Sequence, residues 1–349
     1  MASSMASSMA SSMASSMASA GRGVRFLSML LACVACGQGV EGAHAEGGGG
    51  AGGGALGWNR GLDPSTYDCR AEGPPERTSP IPSSCVLDPT CQAKLVVGHR
   101  AAGGELGVFA PENSLAAVRA AVVMGAEFIE TDPRATKDGV LVNHHDPEVD
   151  RTTNGTGELS AMTFDEVSKL ALESAKYPGE FGCERVPTIE EVLLEAKGRA
   201  FVLLDANKTN RVDLLVLAVQ KTETLEWAIF DTDDVGKLDE ALALEPKLRT
   251  MIRVASQDEL AFELEHFAAH PPVVVEVDSA PGYEALAESA RASGLRTMVN
   301  VFGLDLAAGL GDDSSVYGSV FDGPIELAQT DRPDLVLRHL GRFAGTSEP

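Results

Sequence analysis

From Lys94 onward the chain alternates between two hydropathy patterns, and this alternation restricts its fold more than any other feature. Short apolar or β-branched runs stand at 95–98, 127–132, 200–205, 228–231, 249–254, 272–278, 297–301 and 325–329. Amphipathic segments lie between them at 114–124, 189–196, 212–222, 235–244, 257–269, 282–292 and 333–340. Strands buried on both faces and spaced by helices pair in parallel, with the helices outside. Eight such units closed on themselves occupy about 250 residues. The expected fold class is α/β, a (β/α)8 TIM-type barrel. No Gly-x-Gly-x-x-Gly follows the first run, which weighs against an open doubly wound sheet.

One interval breaks the rhythm. The stretch at about 134–187 is too long for a simple loop and reads as an insertion after the second strand. It includes an apolar run at 140–143 and an expected helix at 163–172, with Thr163 and Glu166 in capping-box spacing. An insertion there sits at the C-terminal rim, where barrel active sites are built.

The segments before the barrel read differently. Residues 1–45 hold a Met-Ala-Ser-Ser repeat, then Arg22 and Arg25, then an apolar run at 26–35. A positive flank before roughly 7–15 apolar residues is a secretory signal, and the run is short of the about 20 that span a bilayer. Leu30-Leu31-Ala32-Cys33 resembles a bacterial lipobox, with Cys36 as a second candidate for lipidation. Plain secretion with cleavage near Ala43-His44-Ala45 is the alternative. The expected location is extracytoplasmic, secreted or anchored through Cys33 or Cys36. Residues 46–93 form a glycine-rich tether and a cysteine-containing lead-in. Cys69, Cys85, Cys91 and Cys183 suggest two disulfides, with three pairings open. If all four pair, one bridge ties the lead-in to the barrel at 94–345. The formal net charge of -23 argues against nucleic acid and anionic membranes as partners, since both require basic patches.

The chemistry concentrates at strand ends. Glu130 and Asp132 are two apart, so their side chains share one face, and two hard oxygen ligands suit Mg2+ or Ca2+. Asp205 ends the third strand and offers a third carboxylate. His99 follows the first strand and His145 lies in the insertion; a pair of imidazoles supplies a general acid and a general base. His144 and His145 are neighbours on an extended segment, so only one enters the site. Arg100 has the planar fork that suits a phosphate oxygen. Lys208 follows Asp205 by three, which would face it away if the strand continued. Glu276 and Asp278 repeat the alternating carboxylate pattern, with the barrel interior as one destination. Asn300 and Phe302 face alike at the end of the seventh strand. Thr330 or Asp331 reads as a cap for the helix begun by Pro333.

Taken in order, these pieces resemble the glycerophosphodiester phosphodiesterase family. The resemblance rests on His99-Arg100-Ala101, Pro111-Glu112-Asn113-Ser114, Glu130-Thr131-Asp132, Thr136 to Gly139, His145-Asp146, Arg151 to Thr153 and Thr330 to Pro333. It implies hydrolysis of glycerophosphodiesters to glycerol 3-phosphate and an alcohol on a barrel with a small insertion. It implies His99 and His145 as acid and base, and one divalent cation, Mg2+ or Ca2+, on Glu130, Asp132 and Asp205. Arg100 and Lys208 would contact the phosphate, and Glu112 would support the site. The chain departs from the pattern in three places. Asp205 stands for the usual glutamate, Asn207 stands where the lysine is expected, and Ala101 replaces a glycine before a longer first loop. Two other readings use the same barrel: phospholipase D-like cleavage of lysophospholipids, and a non-catalytic surface protein.

Overall fold

The computed structural model describes residues 61–343; the signal, Cys33, Cys36 and the glycine tether lie outside them. Strand β1 (Leu95–Gly98) is followed by helix α1 (Leu115–Met124), then β2 (Phe128–Thr131). A hairpin of β3 (Pro133–Ala135) and β4 (Leu141–Asn143) opens the insertion. The alternation resumes with α2 (Ile189–Ala196), β5 (Phe201–Asp205), α3 (Val212–Thr222), β6 (Ala228–Asp231), α4 (Val235–Leu244), β7 (Arg249–Val254) and α5 (Gln257–His266). It ends with β8 (Val274–Val277), α6 (Tyr283–Ala292), β9 (Arg296–Asn300), α7 (Phe302–Gly311), β10 (Leu327–Thr330) and α8 (Pro333–His339). Eight of the described strands close a parallel barrel in the order β1-β10-β9-β8-β7-β6-β5-β2. The expected fold is the observed one.

Alternation along each strand builds the interior. Leu95, Val97, Phe128, Phe201, Leu203, Ile229, Met251, Val274, Met298 and Leu327 form one buried apolar cluster. Side chains two residues apart share a face, so the next inward positions are His99, Glu130, Asp205, Asp231, Arg253, Glu276, Asn300 and Gln329. Every barrel strand therefore carries a polar side chain directly above an apolar floor. Val86 of the lead-in, fully buried, joins that floor with Ile81 and Leu87 against it. A second and larger cluster lies between the barrel and its helices.

The insertion has its own core of Val142, Val149, Leu159, Val167, Leu172 and Val186. The helix expected at 163–172 is only one turn, Phe164–Val167, although the Thr163–Glu166 capping box forms. Ala171 and Leu172 instead enter bridges with Arg185 and Thr153, and Asn154 takes the Ala171 amide. These tertiary partners override the local preference. The lead-in holds one bridge of its own, Cys85–Cys91, and Cys69–Cys183 joins it to the insertion. Asp68 reinforces that junction by accepting from the Glu180 amide at 2.8 Å.

Outside the barrel mouth, α5 buries a carboxyl. Glu263 is 7% exposed, and burial, reinforced by Glu259, pushes it up to about 7. Such a group binds more protons folded than unfolded, so stability falls as pH rises from its ordinary value of 4.5 to about 7. Glu263→Gln is expected to stabilise the protein by about 1–3 kcal/mol near pH 8 and by almost nothing near pH 4. Urea midpoints at the two pH values measure this; an equal gain at both would refute it.

Candidate active site

The site begins where β1 ends. Arg100 and Ala101 adopt left-handed backbone, with φ of 50° and 74°. This turns the chain sharply and lets the Arg100 amide donate to Glu130 Oε2 at 2.9 Å. The position filled by Ala101 is thus one that glycine occupies without steric cost. The loop that follows wraps a carboxylate: Gly104 N and Leu106 N donate to Asp331 at 2.8 and 3.3 Å. Asp331 in turn lies 2.6 Å from His99 Nδ1. A carboxylate only accepts, so Nδ1 carries the proton and Nε2 is left to act as a base. That Nε2 lies 3.9 Å from Glu130 Oε2. Burial, then the Arg100 charge, push His99 below its usual value, against the pull of Asp331.

His145 is built in the same way. Its Nδ1 lies 2.7 Å from Asp146 Oδ1. His144 turns away, with its ring between the Asp146 carbonyl and the Thr152 hydroxyl. Arg151 clasps Asp146 at 2.6 Å and reaches Glu112 with both terminal nitrogens, at 2.9 and 2.6 Å. Glu112 also accepts from Arg100 at 2.8 Å. Despite burial, these two arginines hold Glu112 far below the usual carboxylate range. Glu112 is therefore a fixed anion that clamps one guanidinium near each imidazole.

Between the imidazoles lie the three carboxylates. Oxygens of Glu130, Asp132 and Asp205 all fall within 4.8 Å of one another, and the residues are 2%, 1% and 5% exposed. Burial, then Asp132 and Asp205, push Glu130 well above its ordinary value. Burial raises Asp132 too, but the charges of His145, Arg100 and Lys208 outweigh it and hold the carboxyl at about 2. Asn113 fixes Asp132 with a 2.8 Å hydrogen bond, and Asn143 accepts from its amide at 2.8 Å. Three hard oxygen donors that repel one another in a buried cluster fit a divalent ion such as Mg2+ or Ca2+.

The strand does not continue past Asp205. A short 3-10 turn, Ala206–Lys208, begins there. It brings Lys208 Nζ back to 3.9 Å from Asp205 Oδ2. Asn207, at the place where a lysine was expected, accepts from the Thr232 hydroxyl instead. The structure thus gathers His99, Arg100, Glu112, Glu130, Asp132, His145, Asp205 and Lys208 around one mouth.

Several expectations change. Asp331 does not cap α8, whose N-cap is Arg332 without a side-chain cap bond; it orients His99. Phe302 is not on β9 but starts α7, and its ring lies 4.6 Å from that of His99. Glu276 faces the barrel interior, whereas Asp278 lies beyond the strand end and is exposed. Sequence reasoning also passed over the Asp231–Arg253 pair, joined at 2.8 and 2.6 Å. The inward parity of β6 and β7 was the signal that could have found it.

This constellation is a parallel-barrel rim that gathers two anchored imidazoles, several cations and three convergent carboxylates. Comparison with known proteins gives the family. The profile of the glycerophosphoryl diester phosphodiesterase family matches residues 99–308, and the chain belongs to that family. A glycerophosphodiester phosphodiesterase of Caldanaerobacter subterraneus subsp. tengcongensis is 32% identical over 187 residues, which is 51% of this chain and 75% of that one. YhdW of Bacillus subtilis is 46% identical over 98 residues, 28% of this chain and only 38% of that protein. In structure, the chain is similar to a glycerophosphoryl diester phosphodiesterase from Parabacteroides distasonis, with TM-score 0.65 at 20% identity. The match covers 76% of this chain and 93% of that one.

Proposed function

We propose that the protein hydrolyses glycerophosphodiesters to glycerol 3-phosphate and an alcohol. The observation that carries this reading is the placement of two carboxylate-anchored imidazoles around one cluster of three convergent carboxylates. Glu130, Asp132 and Asp205 would hold one divalent cation, Mg2+ or Ca2+. When bound, it would polarise the phosphate and offset developing negative charge. His99, neutral and with Nε2 free, takes the proton of the glycerol hydroxyl that attacks phosphorus, and returns it when water, deprotonated by His145, opens the resulting cyclic phosphate. In the first step His145 gives a proton to the leaving alkoxide. Arg100 and Lys208 provide the positive charge that faces the phosphate oxygens, and Glu112 keeps Arg100 in place. The disulfides support an extracytoplasmic location, where thiols stay oxidised.

Incubation with glycerophosphocholine tests this. Release of glycerol 3-phosphate is expected with Mg2+ or Ca2+, and chelation should slow it by about 10²-fold or more. An undiminished rate in chelator would remove the cation from the proposal.

A second reading has its own observation. Helix α7 carries one charged side chain, Asp305, and that one is buried. Its outer arc is Phe302, Gly303, Leu306, Ala307 and Leu310, and Leu310 is 81% exposed. The arc starts at the ring against His99, which favours an alcohol or glycerol side bearing an acyl chain. Cleavage of lysophosphatidylcholine in preference to glycerophosphocholine would establish it.

A further inference from the structure

The polar layer above the barrel floor has two halves. The half from β1, β2 and β5 carries His99, Glu130, Asp132 and Asp205. The half from β8, β9 and β10 carries Glu276, Asn300 and Gln329, and no role above uses it. Arg253 joins the halves: its Nη2 lies 3.5 Å from Asp205 Oδ1 and its Nε 3.6 Å from Glu276 Oε2. The second of these is too long for a hydrogen bond, and the guanidinium is committed to Asp231.

The unused half has a consistent chemical defect. Glu276 Oε2, Asn300 Oδ1 and Gln329 Oε1 are each buried without a hydrogen-bond partner. Gln329 is 6% exposed. Asn300 and Gln329 are direct partners across β9 and β10, and Asn300 Nδ2 donates to Glu276 Oε1 at 2.8 Å. That bond fixes the amide orientation, so the Asn300 oxygen is the atom left over. Three acceptors on three successive strands face the same mouth. Buried acceptors are normally matched to donors, and leaving one unmatched costs about 1–3 kcal/mol. The matching ligand must bring hydrogen-bond donors, which the hydroxyls of a polyol supply, and it must be short enough to lie between β8–β10 and Asp205.

We propose that Glu276, Asn300 and Gln329 form a polyol subsite that binds the free hydroxyls of the glycerol moiety while its phosphate lies toward Asp205 and Lys208. This deepens the phosphodiesterase reading and rests on it. A site built to bond hydroxyls discriminates against an analogue that lacks them, because its acceptors are then left unpaired.

The test is calorimetric titration in Mg2+ with sn-glycerol 3-phosphate and with propyl phosphate, which has the same carbon chain and no hydroxyls. Wild-type protein is expected to bind the first at least about tenfold more tightly. Gln329→Met should weaken glycerol 3-phosphate by about threefold to tenfold and leave propyl phosphate within about twofold. Asn300→Leu should behave likewise, and thermal unfolding checks that each variant is folded. Equal wild-type affinities for the two ligands would overturn the subsite, as would equal losses for both in the variants. Wild-type hydrolysis of glycerophosphocholine is scored separately. Turnover without a hydroxyl preference sinks only the subsite, whereas absence of turnover sinks the phosphodiesterase reading.

Discussion

Replacing His99 with alanine is expected to lower kcat/KM for glycerophosphocholine by about 10³-fold. The loss follows from the position of Nε2, which faces the carboxylate cluster while Nδ1 is held by Asp331. Asp331→Asn tests the anchoring separately. It keeps the shape but offers the wrong partner to Nδ1, and a loss of about 10²-fold is expected. Because Asp331 acts through His99, the double variant should be little worse than His99→Ala alone. The pH profile distinguishes anchoring from a structural role. Asp331 raises the affinity of His99 for its proton, so its removal should move the acid limb of kcat/KM to lower pH. Additive losses, or an unmoved acid limb, would show that Asp331 does not orient the base.

Gly98→Ala should be among the most damaging single changes in the chain. A β carbon at this position would stand 1.7 Å from the Ala101 carbonyl oxygen, which is backbone and cannot rotate aside. The strand cannot yield easily either. The amide of His99 is bonded to Thr330 O at 3.0 Å, and that of Ala101 to Glu130 O at 3.1 Å. Relief requires breaking these bonds or opening the turn that aims His99 and Arg100. A loss of about 3 kcal/mol or more is expected, read as a shifted urea midpoint or a failure to accumulate soluble protein. A variant with wild-type stability and activity would mean that the turn is softer than its contacts imply.

The barrel was legible in the sequence because its strands are apolar on both faces and its helices are apolar on one. The strands at 95–98, 228–231 and 249–254 and the helices at 189–196, 212–222 and 235–244 run as expected. Helix α7 was not legible, since Phe302 to Gly311 shows no alternation between apolar and charged faces and contains four glycines or alanines in its second half. The groups gathered at the mouth were visible as residue types at strand ends. Their anchors were not. Asp331 lies 232 residues from His99, and nothing local distinguishes it from a helix cap. Lys208 could not be aimed from sequence, because its direction depends on where β5 stops. The choice between His144 and His145 depends on a hydrogen bond to Thr152, a contact that spacing does not encode. Arg253 and Gln329 were missed for a simpler reason: a single polar residue in an apolar run carries no motif, only parity.

The bridge between Cys69 and Cys183 spans 114 positions, and that span contains β1, β2, His99, His145 and two of the three clustered carboxylates. A protease that cuts any peptide bond between 70 and 182 therefore releases nothing. Both pieces stay covalently joined until a reductant reaches the bond. Clipping in the insertion would be silent on a non-reducing gel and visible on a reducing one, and the clipped protein would keep both imidazoles attached to the barrel.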